Sequence, residues 1–301
     1  MTLEEVCSQL ALIGRHCEFV SLTDVENNHL PSDCLSCLVT FDDGLQEQFY
    51  AHELLKGRGI PSAIFVPTMY LETGKAIGVH KLHAVIEALD LSLIKKRIAL
   101  FIQERNIRPK FYDDACIKGP ALYKNDPADI ASIKFFVNFS LTAPQRDALV
   151  SALFDYAFVE SVWVTDNYIT PAQIQDTAAT GSVSAHGHTH EPLALLSRTA
   201  ARNDMLRSKK LLEQLTNRQI NTISYPYGRG DALADWVYIE AEACGFVCGL
   251  TTHRGINRGM LPTLNMRRYD CNELPGGSRP LFDADRLQDQ LCALEEPLAG
   301  L

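Results

Sequence analysis

Five short apolar runs punctuate the chain: CLVTF (37–41), SAIFVP (62–67), SVSA (182–185), TISY (222–225) and FVCGLTT (246–252). Each is bounded by polar or turn-forming residues and is predicted to be a buried strand. Between them the pattern turns helical. Thr170-Pro171 opens PAQIQDTAAT with a cap residue and a proline at the first helical position. Residues 197–219 read as a long helix with a polar face, and LADWVYIEAEACG as a helix stopped at Gly245. Strands alternating with helices predict an α/β fold with a parallel sheet or barrel.

Residues 71–170 break this rhythm. KLHAVIEALDLSLIKKRIALFIQE carries Leu, Ile and Ala at helical spacing, and LTAPQRDALVSALFDYAFV follows with a cap at Thr142. The expectation is a mostly helical insertion within a single domain spanning 1–301, its Leu and Ile packed inward and its charges facing solvent or a substrate phosphate. Long excursions from a scaffold tend to carry specificity, so a lid over the site or a subunit contact in a homo-oligomer is expected. The bland alternative is a surface embellishment. His80 and His83 in VHKLH are read as a helix face near a substrate entrance, with a metal pair as the alternative. There is no internal repeat, low-complexity tract or Ser/Gly linker.

Composition narrows the classes. Of 301 residues, 46% are hydrophobic and 22% charged, which suits a soluble globular chain. A formal net charge of −9, with no basic stripe, argues against a general nucleic-acid binder. No apolar run approaches the roughly 20 residues that span a bilayer. Glu4 and Glu5 stand where a secretory signal would carry Lys or Arg. The nine cysteines are odd in number and scattered, the pattern of reduced thiols, so a cytoplasmic location is expected. Cys34-x-x-Cys37 has no second CxxC to complete a zinc site and is read as packing.

Two segments carry candidate chemistry. Asp42 and Asp43 close LVTFDDG, and adjacent carboxylates after a buried run are costly unless a cation or hydrogen bonds compensate. His186, His188 and His190 sit in SAHGHTHEPL, so three of the chain's nine histidines fall within five residues. Such clustering points to metal binding. Helical geometry would put His186 and His190 on one face, and extended geometry would put all three on one side. Gly187 and Pro192 suggest a turn, which favours the pair. Asp43 would complete a site of two imidazoles and one carboxylate, leaving positions open for water or substrate.

LVTFDDG, SAIFVPT, the His cluster and SYPYG, in that order, resemble the polysaccharide deacetylases, the NodB-homology carbohydrate esterases, over about 37–70 and 170–252. The resemblance implies a distorted (β/α) barrel with its site at the C-terminal ends of the strands, and each motif here follows an apolar run. It implies Asp42 as general base, and Asp43, His186 and His190 as ligands of a divalent metal, most often Zn2+. It implies that Pro226-Tyr227 supplies the Tyr227 backbone N–H to the oxyanion. The implied activity is metal-dependent removal of an N-acyl group, most often N-acetyl, from an amino sugar. A small nucleotide- or lipid-linked precursor of a surface glycan is the expected substrate, because a polymer-trimming enzyme would normally be exported. The alternatives are a non-sugar C–N amidohydrolase of the same fold and a binding homologue with weakened catalysis.

This chain departs from the family pattern in three places. Where members often carry an Arg two residues before the Pro, to orient the base, this chain has Ser224. Arg229, Arg267 and Arg268 are the candidates to replace it. The late Leu-x-His motif is missing and the last histidine is His253, which leaves His188 and His253 as candidate proton donors. DALADW (231–236) resembles the family's late Asp-Trp motif but follows Pro226-Tyr227 too closely, and is read as helical packing.

Overall fold

The computed structural model describes residues 2–108, 114–123, 126–259 and 261–294. Seven strands form: β1 (Cys17–Phe19), β2 (Leu35–Cys37), β3 (Val39–Asp42), β4 (Ser62–Val66), β5 (Val183–Ala185), β6 (Thr222–Ser224) and β7 (Cys248–Leu250). The last five make one parallel sheet in the order β3-β4-β5-β6-β7, curled into a half-barrel with helices around it. The α/β barrel expected from the sequence is therefore the fold observed. A parallel bridge from Leu250 to Met266 carries the sheet one segment beyond β7.

The predicted strand 37–41 is in fact two. β2 pairs with β1 in a separate two-stranded sheet, and β3 pairs with β4. Leu38 breaks the run and packs against the core cluster of Val20, Leu22, Val25, Ala63, Phe65, Cys248, Leu250 and Met266. One continuous strand could not serve both partners, so the chain changes course at that residue. All five residues of β4 are buried, as expected of a strand covered on both faces. Burying a side chain the size of Phe65 contributes about 1.5–3 kcal/mol.

Helix boundaries follow local chemistry. Thr170 caps Pro171–Ala178 through a capping box with Gln173. Ser197 caps Arg198–Thr216, which ends where Asn217 turns left-handed. The buried stripe of that helix is Ala201, Asp204, Met205, Ser208 and Leu212, and it packs against β5. A carboxylate in such a stripe needs compensation.

The chain divides into two compact units, Met1–Glu72 with Asn167–Leu301, and Thr73–Asp166. The first holds both sheets. The second is helical in its described residues. Its core includes Leu149, Leu153 and Phe154, and the Phe154 ring meets Trp163 edge-on at 5.5 Å. Ile94 and Ile98 point inward as expected and Phe101 is buried with them, whereas Leu100 is exposed. Lys81 is the departure: expected outside, it is 5% exposed and pairs with Glu160 at 2.6 Å. The ion pair and the Ser151 hydroxyl compensate the buried ammonium. His80, also buried, and His83 lie on the same helix, Gly78–Ala88. Of DALADW only Asp235 and Trp236 lie in a helix, Asp235–Ala243; Asp231 and Ala232 belong to the 3-10 turn Gly230–Ala232 and the two residues between are extended. Among the described residues no single helix is long and apolar enough to cross a membrane.

Candidate active site

The candidate residues gather at the C-terminal ends of β3, β5 and β6. Asp42 is the last residue of β3, His186 follows β5, and Ser224 ends β6. In a parallel sheet all three strand ends lie on one rim, where loops can present side chains without disturbing the core.

Among the described residues, six that are not glycine have left-handed backbone. Three are asparagines, which tolerate it; the others are Asp43 (φ 91), His190 (φ 62) and Tyr227 (φ 62). Such conformations cost of order 1–3 kcal/mol each and collect where a side chain must be aimed. Here they aim Asp43 and His190 at one point. Asp43 Oδ1 lies 3.3 Å from His186 Nε2 and 3.0 Å from His190 Nε2. One ligand atom from each of the three lies within 4.8 Å of the others. The His186 and His190 rings stand at 70° with centroids 4.9 Å apart.

The donor set fits a metal ion. His186 Nδ1 is 2.7 Å from the Ser224 carbonyl oxygen, so Nδ1 carries the proton and donates it. That leaves the Nε2 lone pair directed at Asp43, the arrangement second-sphere partners impose on metal-binding histidines. Burial disfavours charge on His186, yet Asp42 and Asp43 outweigh it and hold the imidazole above its ordinary pKa. The same negative field that favours a proton there favours a cation. Two nitrogens and one carboxylate oxygen suit zinc with positions to spare.

Asp42 does not join the cluster. Its carboxylate faces Arg268: Nη1 donates to Oδ1 at 3.0 Å and Nη2 to Oδ2 at 2.8 Å. The Ser224 hydroxyl donates to Oδ2 at 3.1 Å and accepts from Arg268 Nη2 at 2.9 Å. Arg268 is held in turn by the Thr251 carbonyl through Nε at 2.8 Å. Burial raises the Asp42 pKa, but the Arg268 guanidinium and then His186 outweigh it and keep the carboxyl below the usual range. Of the three arginines the sequence left open, Arg268 is therefore the one that meets Asp42. Arg267 donates instead to the Arg254 carbonyl. Ser224, which replaces the arginine expected two residues before the proline, becomes the third member of this group.

The structure separates His188 from the cluster. Its ring is buried with Nδ1 2.9 Å from Thr68 Oγ1 and Nε2 3.4 Å from Glu72 Oε2. Burial, then Arg207, hold its pKa below the ordinary value. His253 is exposed, and burial of part of its ring, then Arg267 and Arg229, lower it as well. Both surroundings favour the neutral ring. Tyr227 lies beside His190, ring centroids 5.3 Å apart, and its turn is pinned by the Thr252 hydroxyl on the Tyr227 carbonyl at 2.9 Å.

Sequence reasoning missed Asp204, which accepts from His188 N–H at 2.7 Å and from Thr189 N–H at 2.9 Å. Its only signal was a carboxylate on the apolar stripe of a helix.

Residues 146–245 match the family model for polysaccharide deacetylase, a stretch that includes the His cluster and Pro226-Tyr227 but not Asp42 and Asp43. Comparison with curated proteins returns no match. Among solved structures, the fold is similar to that of the Streptococcus pyogenes deacetylase PplD, solved in complex with acetate. The TM-score is 0.53 at 17% identity, over 94% of this chain and 84% of that one. It is also similar to the deacetylase domain of BpsB from Bordetella bronchiseptica, with a TM-score of 0.52 at 16% identity, over 89% of this chain and 83% of that one. The family match over 146–245 and the shared half-barrel together bear out the resemblance to the polysaccharide deacetylases.

Proposed function

We propose that this chain is a metal-dependent carbohydrate N-deacetylase. One observation carries the reading: Asp43, His186 and His190 converge within 4.8 Å on the rim where Arg268 holds Asp42 ionised. Asp43, His186 and His190 would hold a divalent ion, with zinc the best match to the donor set. Such an ion supplies Lewis acidity, polarising the acyl carbonyl and lowering the pKa of water toward about 7. Asp42 accepts the proton of the attacking water, and the Arg268 fork with the Ser224 hydroxyl keeps its oxygens oriented for that transfer. The Tyr227 backbone N–H stands as the oxyanion donor beside His190. Water adds to the acyl carbon and the C–N bond breaks. Acetate and the free amino sugar leave, the nitrogen having taken up the proton that Asp42 received from the water.

The substrate we propose is a small nucleotide- or lipid-linked amino sugar handled in the cytoplasm. Its support is the cysteine set, nine thiols without a disulfide, which suits a reducing compartment.

The test is metal analysis of the purified protein together with acetate release from a panel of N-acetyl amino sugars, free, nucleotide-linked, lipid-linked and polymeric. Stoichiometric metal and release from a linked monomer are expected. Asp42→Asn should keep the metal and lose about 10²–10⁴ in turnover. Release only from polymer would overturn the precursor assignment, and release from none would overturn the activity.

A further inference from the structure

We infer that Asp204 is the positioning residue of the loop His186–His190, fixing the backbone from which both imidazoles are aimed. The inference rests on Asp43, His186 and His190 being metal ligands.

The loop leaves β5 with irregular backbone: Gly187 is at φ 71 and His190 at φ 62. His186 N–H still donates to the Val66 carbonyl of β4 at 3.1 Å, but the ladder ends there, so the amides that follow must find other partners. On one side the carbonyls of Gly187 and His188 accept from the Thr68 and Met69 N–H groups at 3.2 and 2.9 Å. On the other side Asp204 takes the donors. Oδ1 accepts from His188 N–H at 2.7 Å, and Oδ2 accepts from Thr189 N–H at 2.9 Å and from the Thr189 hydroxyl at 2.5 Å. Two adjacent amides and a hydroxyl thus converge on one carboxylate that is 7% exposed.

That arrangement explains an anomaly of the helix Arg198–Thr216. Asp204 occupies its core stripe, between Ala201 and Met205, where an aliphatic side chain would ordinarily sit. A buried carboxylate is tolerated when hydrogen-bond donors replace its water, and here all three donors belong to the His loop. Loop and helix also fit sterically. A methyl on Gly187 would stand 3.0 Å from Asp204 Oδ1 and 3.3 Å from Pro226 Cγ. One turn further along the helix, Arg207 pairs with Glu72 at 2.5 Å, and Glu72 meets His188 Nε2 at 3.4 Å. The same helix therefore holds the loop by its backbone through Asp204 and by the His188 ring through Arg207 and Glu72. Helix Arg198–Thr216 is a rigid element, and tying the loop to it sets the ligand directions before an ion arrives.

Zinc affinity by chelator competition, and the visible absorption of the Co2+-loaded protein, test this. Asp204→Asn keeps the size but offers one acceptor oxygen for three donors. Its zinc Kd should rise on the order of 10–100-fold, with an altered cobalt spectrum. Leu212→Ala is the control, fully buried on the same helix and absent from the loop contacts. It should lose stability and keep both metal readouts. Equal zinc Kd in Asp204→Asn and wild type, or an equal loss in Leu212→Ala, would overturn the positioning role while leaving the metal site intact. Should Asp204→Asn fail to fold, Thr189→Val decides, because it deletes only the hydroxyl arm: a raised Kd supports the role and an unchanged Kd overturns it. Failure of the wild-type protein to bind zinc or cobalt would remove the metal reading and this inference with it.

Discussion

Arg268 and Asp42 lie 226 residues apart in sequence and meet in a two-pronged ion pair, with Nη1 to Oδ1 at 3.0 Å and Nη2 to Oδ2 at 2.8 Å. A fork of this kind fixes direction as well as charge, which a lysine ammonium cannot do. Arg268→Lys should therefore keep metal content and lose on the order of 10² in kcat. Arg268→Ala should also move the acidic limb of the pH–rate profile upward. The guanidinium that holds Asp42 below its ordinary range is then gone, and the base must be ionised to act. Steady-state rates between pH 4 and 8 check both, and a limb that stays in place would separate Asp42 from the rate.

Metal should also show in stability. An ion bound only by the folded state contributes RT ln(1 + [L]/Kd), about 2.7 kcal/mol at a hundredfold excess over Kd. Chelation should lower the melting temperature, and zinc should restore it. His186→Ala removes one of three clustered donors and should abolish most of the zinc-dependent increment. An undiminished increment in that variant would place the ion elsewhere.

Two glycines with the same backbone isolate the close approach at the His loop. Gly187 has φ 71 and Gly59 has φ 72, but only at Gly187 would a methyl meet other atoms within 4 Å. Gly59→Ala should lose about 1–2 kcal/mol, the cost of a left-handed alanine. Gly187→Ala should lose more, and lose metal affinity as well. Urea unfolding and chelator competition give the two numbers, and equal losses would mean that Asp204 and Pro226 yield freely.

His52 predicts a pH dependence away from the site. It is 2% exposed, with Nδ1 2.8 Å from Ser62 Oγ, and burial holds its pKa below the ordinary value. The unfolded chain then takes up a proton more readily than the folded one, so stability rises with pH across that window. It should fall as pH drops below about 6.5 and level off beneath the folded pKa. His52→Gln should flatten this part of the curve. Parallel curves for both proteins, from urea unfolding at pH 5 to 8, would show that His52 titrates alike in both states.

Much of this could be read before any coordinates. The buried strands β4, β5, β6 and β7 lie within the apolar runs at 62, 182, 222 and 246, because a parallel strand covered on both faces needs apolar residues in succession. Thr142 and Thr170 mark helix starts because capping is a local hydrogen bond. Asp42, Asp43, His186 and His190 announce themselves because the turn that ends a strand and the residues it presents are adjacent in the chain.

What remained hidden depends on which distant segments the folded sheet brings together. The break at Leu38 arises because β2 and β3 find different partners. Lys81 goes inside because Glu160, 79 positions later, waits there. His188 lies two residues from both His186 and His190, yet it turns to Thr68 and Glu72, more than a hundred residues earlier. Among three arginines, only the course of the chain beyond β7 decides: Met266 bridges to Leu250, and Arg268 then stands over the end of β3. Local sequence determines which groups are offered at each strand end. Only the curl of the sheet, a balance of packing over the whole half-barrel, decides which of them meet.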